Sequence, residues 1–133
     1  MGKPTKKELI VEAMTPLAVA KIPGLPVSVN HLWRHAGGGR AYKTRAAKEW
    51  HEAAVWCIRA GRLADVVYNK AVRVDIILYT RNKRRWDLDN RVKQCLDTLD
   101  VAGVILDDSQ VSVLYVTRVA GANDETLIKV YAA

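Results

Sequence analysis

Two hydrophobic patterns of different period meet between residues 72 and 119, and their order constrains the fold more than any other feature of the chain. Val72, Val74, Ile76 and Leu78 alternate with Arg73, Asp75, Ile77 and Tyr79, the two-residue period of a strand with one face on a core. Val92, Cys95, Leu96 and Leu99 then recur at i, i+3, i+4 and i+7. That is the stripe of an amphipathic helix from about 89 to 102, with Gly103 as its C-terminal stop. A second strand pattern runs from Val111 to Val119, turns at Gly121-Ala122-Asn123-Asp124 and returns through Thr126 to Tyr131, which reads as a closing hairpin.

The rest of the chain supplies partners for this unit. Leu17 to Ile22 reads as a first strand, and Pro23-Gly24-Leu25-Pro26 forces an irregular, extended path into residues 27–35. Gly37-Gly38-Gly39 reads as a flexible loop. Thr44 is a good N-cap for a helix to about Ala60, stopped by Gly61 and buried along Ala47, Trp50, Ala54, Cys57 and Ile58. Thr5 and Glu8 can cap a short helix over Leu9, Ile10 and Ala13. The expected fold class is α+β: a small mixed sheet of about four strands packed against two main helices. The 133 residues read as one domain, residues 17–133, behind a flexible N-terminal extension, residues 1–16. Cys57 and Cys95 sit among apolar neighbours as buried thiols, which suits a reducing, cytoplasmic setting. No apolar run is long enough to cross a bilayer, and Glu8 and Glu12 interrupt the only early one.

Charge points to function. From Asp87 to Asp108 six acids (Asp87, Asp89, Asp97, Asp100, Asp107, Asp108) face two bases (Arg91, Lys93), a local charge of −4 in a chain of net charge +7. Crowded carboxylates repel one another, and a hard divalent cation is the usual compensation. Arg81, Lys83, Arg84 and Arg85 precede the acids, and Arg34, Arg40 and Lys43 flank the glycine loop. A small acidic spot in a basic body suits metal-assisted chemistry on a phosphate backbone. Each feature also has a plainer reading. Asp87 and Asp89 can cap a helix N-terminus, Asp107 and Asp108 can be solvated loop acids, and Lys93 can merely pair with Asp89 and Asp97 one turn away.

The run Asp87-Leu88-Asp89-Asn90, Lys93, Asp97, Leu99, Gly103 and Asp107-Asp108-Ser109-Gln110-Val111 resembles the RusA-type Holliday-junction resolvases. Pro26, Ser28, Asn30, Trp33, Tyr42, Thr44 and Trp50 resemble the same family upstream, so the likeness spans about residues 20–131. It implies a homodimer, bacterial or phage-encoded, that binds four-way DNA junctions and nicks them in symmetric pairs with Mg²⁺ or Mn²⁺, in recombination and repair. It also implies Asp87, Asp89 and Asp108 as metal-binding carboxylates, Asp107 as a further candidate ligand, and Lys93 as a catalytic or phosphate-orienting base. The seven basic residues named above are the expected DNA contacts. The competing readings are another metal-dependent nuclease on branched DNA or RNA, and a basic nucleic-acid-binding module without catalysis.

Overall fold

The structure, a computed structural model, describes residues 15–36 and 40–133, the side chains of 34–36 and 40–42 excepted. The short helix expected over residues 5–13 and the Gly37–Gly39 loop therefore lie outside the described residues. The chain runs β1 (Pro16–Pro23), β2 (Trp33–Ala36), β3 (Arg40–Lys43), α1 (Arg45–Ala60), β4 (Val72–Thr80), α2 (Val92–Val101), β5 (Val111–Ala120) and β6 (Glu125–Ala132). Single 3₁₀ turns stand at Val29–His31, Asp89–Arg91 and Asp108–Gln110.

The helices form for the reasons the sequence offers. Thr44 Oγ1 accepts from Ala47 N at 3.3 Å and donates to His31 O at 2.8 Å, so one side chain starts α1 and ties it to the segment before β2. The helix α2 ends in a Schellman arrangement: Gly103, at φ +80, donates to Asp100 O at 3.0 Å while Val104 N reaches Leu99 O, also at 3.0 Å. Gly61 ends α1 differently, with φ −92. A Cβ there would lie 1.9 Å from Val19 O, so it is the close approach of β1 that requires glycine.

The four-stranded sheet has the order β1-β6-β4-β5, and β2 pairs with β3 in a separate antiparallel ribbon. The mixed α+β sheet is thus as expected, but the closing hairpin is not. β5 lies parallel to β4, with α2 as the crossover a parallel pair needs, and β6 lies antiparallel to β4 on its other side. The turn at 121–124 carries the chain across the end of β4, where Gly121 N donates to Thr80 O at 3.0 Å. The β2–β3 ribbon adds two strands to those of the expected sheet of about four, in residues to which the sequence reading assigns no element.

Both helices cover one face of the sheet. Ala18, Ala20 and Ile22 of β1, Val72, Val74, Ile76 and Leu78 of β4, and Ile128 and Val130 of β6 meet Trp50, Ala54 and Ile58 of α1 and Cys95 and Leu99 of α2. Each fully buried Ile or Leu contributes about 1.5–3 kcal/mol. Two details differ from the periodic reading. Cys57 is only half-buried, Val55 taking its place in the stripe, and Gln94 and Thr98 are buried on α2. Gln94 is held because it accepts from Val27 N and donates to Ala47 O, each at 2.7 Å, joining α2 to α1 and to the chain ahead of β2.

Burial also pushes the Cys95 thiol well above its usual range, so it stays protonated and inert. A thiol reagent should therefore titrate Cys57 in the native protein and Cys95 only after denaturant is added. Two fast thiols would show that α2 does not pack in this way.

Candidate functional site

At the C-terminal end of β4 the chain leaves the sheet in an exposed loop bearing Arg81, Lys83, Arg84 and Arg85. Arg81 N donates to Asp124 Oδ1 at 2.8 Å, which fastens the loop to the 121–124 turn. Arg118, on β5, fastens its other part. Its Nη2 donates to Arg84 O at 2.7 Å and to Asn82 O at 3.3 Å, and its Nε to Thr80 Oγ1 at 3.2 Å. The same guanidinium lies 4.2 Å from the ring centroid of Trp86, and the guanidinium of Arg91 lies 4.7 Å from it. Arg91 in turn donates to Pro26 O at 2.7 Å, and burial, then the charge of Arg118, lowers its pKa.

Asp87 follows Trp86 directly, and a cleft of about 480 Å³ is lined by Arg85, Trp86, Asp87 and Arg118. Asp87 and Asp89 do not alternate along an extended chain, because Leu88 is helical (φ −61, ψ −42) and the 3₁₀ turn begins at once. Asn90 N donates to Asp87 O at 3.3 Å, and Asn90 Nδ2 to Asp87 Oδ2 at 3.4 Å. Neither this turn nor α2 has a side-chain cap at its start. Asp87 and Asp89 are exposed carboxylates left free of that structural duty.

In the first turn of α2, Lys93 Nζ meets Asp97 Oδ1 at 3.0 Å. Asp97, with Asp108 and Asp100 farther off, raises the Lys93 pKa above its ordinary value. That shift favours the charged ammonium. Asp108 reaches this neighbourhood because the acidic loop is pinned. Gln110 Oε1 accepts from Leu106 N at 2.7 Å and Asp107 N at 3.0 Å, while its Nε2 donates to Tyr68 O and Lys70 O at 2.8 Å each. Asp107 caps the short turn, Oδ2 accepting from Ser109 N at 3.0 Å, and the Ser109 side chain first, then its backbone N–H, holds the carboxyl below the usual carboxylate range. Asp107 is thus engaged in shaping the loop, whereas the Asp108 carboxylate stands half-buried beside α2.

The structure brings Asp108 into the electrostatic surroundings of Lys93, and Asp87 into the Trp86 cleft. Among the described residues no three His, Cys, Asp or Glu side chains stand close enough to hold a metal ion by themselves. The donors on offer are carboxylate oxygens, the chemistry of a hard cation such as Mg²⁺. That cation binds through one or two carboxylates and completes its sphere with water and substrate phosphate, so it needs no protein cage. The donor set fits a cation of this kind. Of the expected DNA contacts, Arg81, Lys83, Arg84 and Arg85 are exposed on one loop; Lys43 stacks over Trp33 at 5.9 Å; Arg34 and Arg40 have side chains outside the described residues.

Arg91, Trp86, Arg118 and Gln110 did not stand out in the sequence as site residues. Gln110 has a local signal, an amide three residues after a capping acid. Arg118 has none, because its partners lie 34 to 38 residues away.

The profile of the family described as Endodeoxyribonuclease RusA matches residues 23–131. The chain is 28% identical over 107 residues to the Crossover junction endodeoxyribonuclease RusA of Aquifex aeolicus, covering 80% of this chain and 84% of that protein. It is 33% identical over 93 residues to the protein of that name from Enterobacteria phage 82 (65% of this chain, 70% of that protein). To the one from Enterobacteria phage HK97 it is 32% identical over 93 residues (70% and 76%). The matched span takes in the loop after β4, the whole of α2 and the pinned acidic turn, and on that ground the chain belongs to the RusA endodeoxyribonuclease family.

Proposed function

We propose that this chain is a divalent-metal-dependent endonuclease that resolves four-way DNA junctions by symmetric phosphodiester hydrolysis, in recombination and repair. Asp87, Asp89 and Asp108 are the proposed metal-binding carboxylates, one or two of them to an ion, with Mg²⁺ the preferred ion and Mn²⁺ its substitute. The observation that carries the reading is Lys93, whose ammonium lies 3.0 Å from Asp97 on α2 with the charge of Asp108, from beyond the helix, also acting on it. Such a cation beside hard oxygen donors suits the stabilisation of negative charge on a phosphate under attack. The bound ion would supply an activated water and neutralise the leaving oxygen. Asp107 keeps its cap and orients Asp108. Arg81, Lys83, Arg84 and Arg85, with Arg34, Arg40 and Lys43, are the proposed phosphate contacts, which orient the substrate without reading sequence.

The homodimer implied by this function has a surface available. Prolines stand at both ends of β1, and its edge is met by Val19 N to Gly61 O (3.0 Å) and Leu63 N to Leu17 O (2.9 Å). Among the described residues β5 pairs only with β4 and has neither Pro nor Lys; it exposes Val113, Leu114, Tyr115 and Val119. An open edge of this kind normally finds a partner strand. A second copy pairing there about a two-fold axis would suit a substrate with two equivalent strands. We take residues 17–133 as the single nuclease domain behind the 1–16 extension. Relatives from bacteria and phages support a prokaryotic cytoplasmic setting.

The test is a synthetic four-way junction incubated with the protein, with and without Mg²⁺, beside a linear duplex of the same sequence, with the molar mass measured in the same buffer. Paired nicks near the crossover that require the ion, from a species of twice the chain mass, are expected. Equal cutting of the duplex would point to a nuclease of other specificity, and a monomer that cuts would overturn the dimer.

A further inference from the structure

Trp86 is an unusual residue to find between a basic loop and a functional carboxylate, and its surroundings are more unusual still. Two guanidiniums, at 4.2 and 4.7 Å, stack on one indole. Arg91 Nε is buried without a hydrogen-bond partner among the described residues. The aromatic quadrupole offsets part of such costs. The arrangement fixes geometry at some expense in stability, as strained or imperfectly satisfied groups at functional sites commonly do.

What is fixed can be read from the bonds. Arg118 projects from β5, the strand that starts just after Asp108, to the loop after β4. There it holds the carbonyls of Asn82 and Arg84, the hydroxyl of Thr80 and the ring of Trp86. Trp86 is joined by one peptide bond to Asp87, and all three side chains face one cleft with Arg85. A planar guanidinium with donors in a rigid fork can set the path of a loop in this way; an ammonium cannot.

We infer that Arg118 is a positioning residue for the nuclease reaction: by clamping Trp86 and the Asn82 and Arg84 carbonyls it sets the direction of the Asp87 carboxylate and the presentation of the basic loop. The inference rests on the proposed role of Asp87. Arg118 acts through Trp86 and Asp87 and is not itself required to touch the scissile phosphate. A displacement of about 1 Å at a catalytic carboxylate costs on the order of 100-fold in rate, which is the size of effect the clamp controls.

The experiment compares R118A, R118K, W86L and D87N with the parent protein in single-turnover cleavage of a four-way junction at saturating protein and Mg²⁺. The junction dissociation constant is measured alongside, in Ca²⁺ and over a range of salt. For R118A the expected result is a rate loss of about 100-fold at saturation, with the dissociation constant raised by about threefold or less. R118K should restore binding and not rate, since it keeps the charge and loses the fork. W86L should lose rate to the same degree, and the R118A/W86L double variant should be no slower than either alone, because both remove one clamp.

A saturating rate unchanged in R118A, with weaker binding and a shallower salt dependence, would make Arg118 a plain phosphate contact and overturn the inference. Full restoration of rate in R118K would overturn it too. Should R118A fail to fold, W86L alone carries the test, and an undiminished rate there has the same consequence. D87N separates the two levels. An active D87N overturns the site assignment and this inference with it, whereas an inactive D87N beside a fully active R118A overturns the inference alone.

Discussion

Asp89→Asn is expected to slow junction cleavage by about 1,000-fold or more while leaving the fold intact and junction affinity equal or tighter. The three parts of that outcome have separate causes. Asparagine has nearly the shape of aspartate, but it removes a negative charge and a hard anionic donor, so a metal held there loses its preferred ligand. Asp89 is exposed and opens a 3₁₀ turn that has no side-chain cap, so the change should cost no more than about 0.5 kcal/mol of stability. A polyanion approaching the site meets one carboxylate fewer, so binding in the absence of cleavage should not weaken.

The combination discriminates among the readings. A binding module with structural acids predicts lower stability and no Mg²⁺-dependent cleavage to lose. A contact residue predicts weaker binding. Cleavage at the parental rate by Asp89→Asn would sink the assignment of Asp89 to the metal site. Lys93 gives the companion expectation for pH. Its folded pKa lies above the ordinary value, chiefly through Asp97, so its positive charge persists to higher pH than that of a free lysine. A rate that fell between ~pH 7 and ~9 would have to be traced to another group.

What the sequence made legible depended on distance along the chain. The spacing of Val92, Cys95, Leu96 and Leu99 and the glycine at 103 are local, and the helix and its stop followed from them, although residues 89–91 of the expected helix form a 3₁₀ turn. The alternation of 72–78 is local too, and all four expected residues are buried. The pairing of β5 is not local. Gly121 to Asp124 has the composition of a hairpin turn, and nothing within it records that β4 must pass between the two strands it joins.

The candidate site divides in the same way. The acids and Lys93 could be picked out because they cluster in the sequence, and the capping box that Asp107 and Gln110 close is a short-range pattern, although the bonds from Gln110 to Tyr68 O and Lys70 O are not. The Arg118–Trp86–Arg91 stack unites residues from β5, the loop after β4 and the start of α2, and charge patterning saw only three unrelated side chains. Nor does spacing tell how near the three carboxylates come to one another. That depends on where Leu88 turns helical, and the extended geometry expected there does not occur.

Gly61→Ala tests the least obvious of these long-range demands and is expected to be the most damaging small change in the fold. As a helix stop, Gly61 would tolerate alanine, since its φ of −92 is open to any residue. By the same local logic Gly103, at φ +80, would be the sensitive position. The three-dimensional surroundings reverse that order. A Cβ on residue 61 would lie 1.9 Å from Val19 O and 2.8 Å from Val19 C, both backbone atoms of β1, so neither can rotate away. Relief requires moving β1 off the end of α1. That breaks the Val19 N to Gly61 O bond of 3.0 Å and loosens Ala18, Ala20 and Ile22 from Trp50, Ala54 and Ile58. Overpacking against backbone with loss of an edge bond should cost about 3–5 kcal/mol, a fall in melting temperature of about 10–20 °C. A Cβ on residue 103 meets only Arg62 Nη1 at 3.3 Å, the far end of a flexible side chain, so Gly103→Ala costs chiefly its backbone strain, about 1–2 kcal/mol. Thermal melts of the two variants decide the matter by their order. A milder loss in Gly61→Ala than in Gly103→Ala would mean that β1 does not close against residues 61–63, and the contrast between a covered β1 edge and an open β5 edge, on which the dimer surface rests, would fall with it.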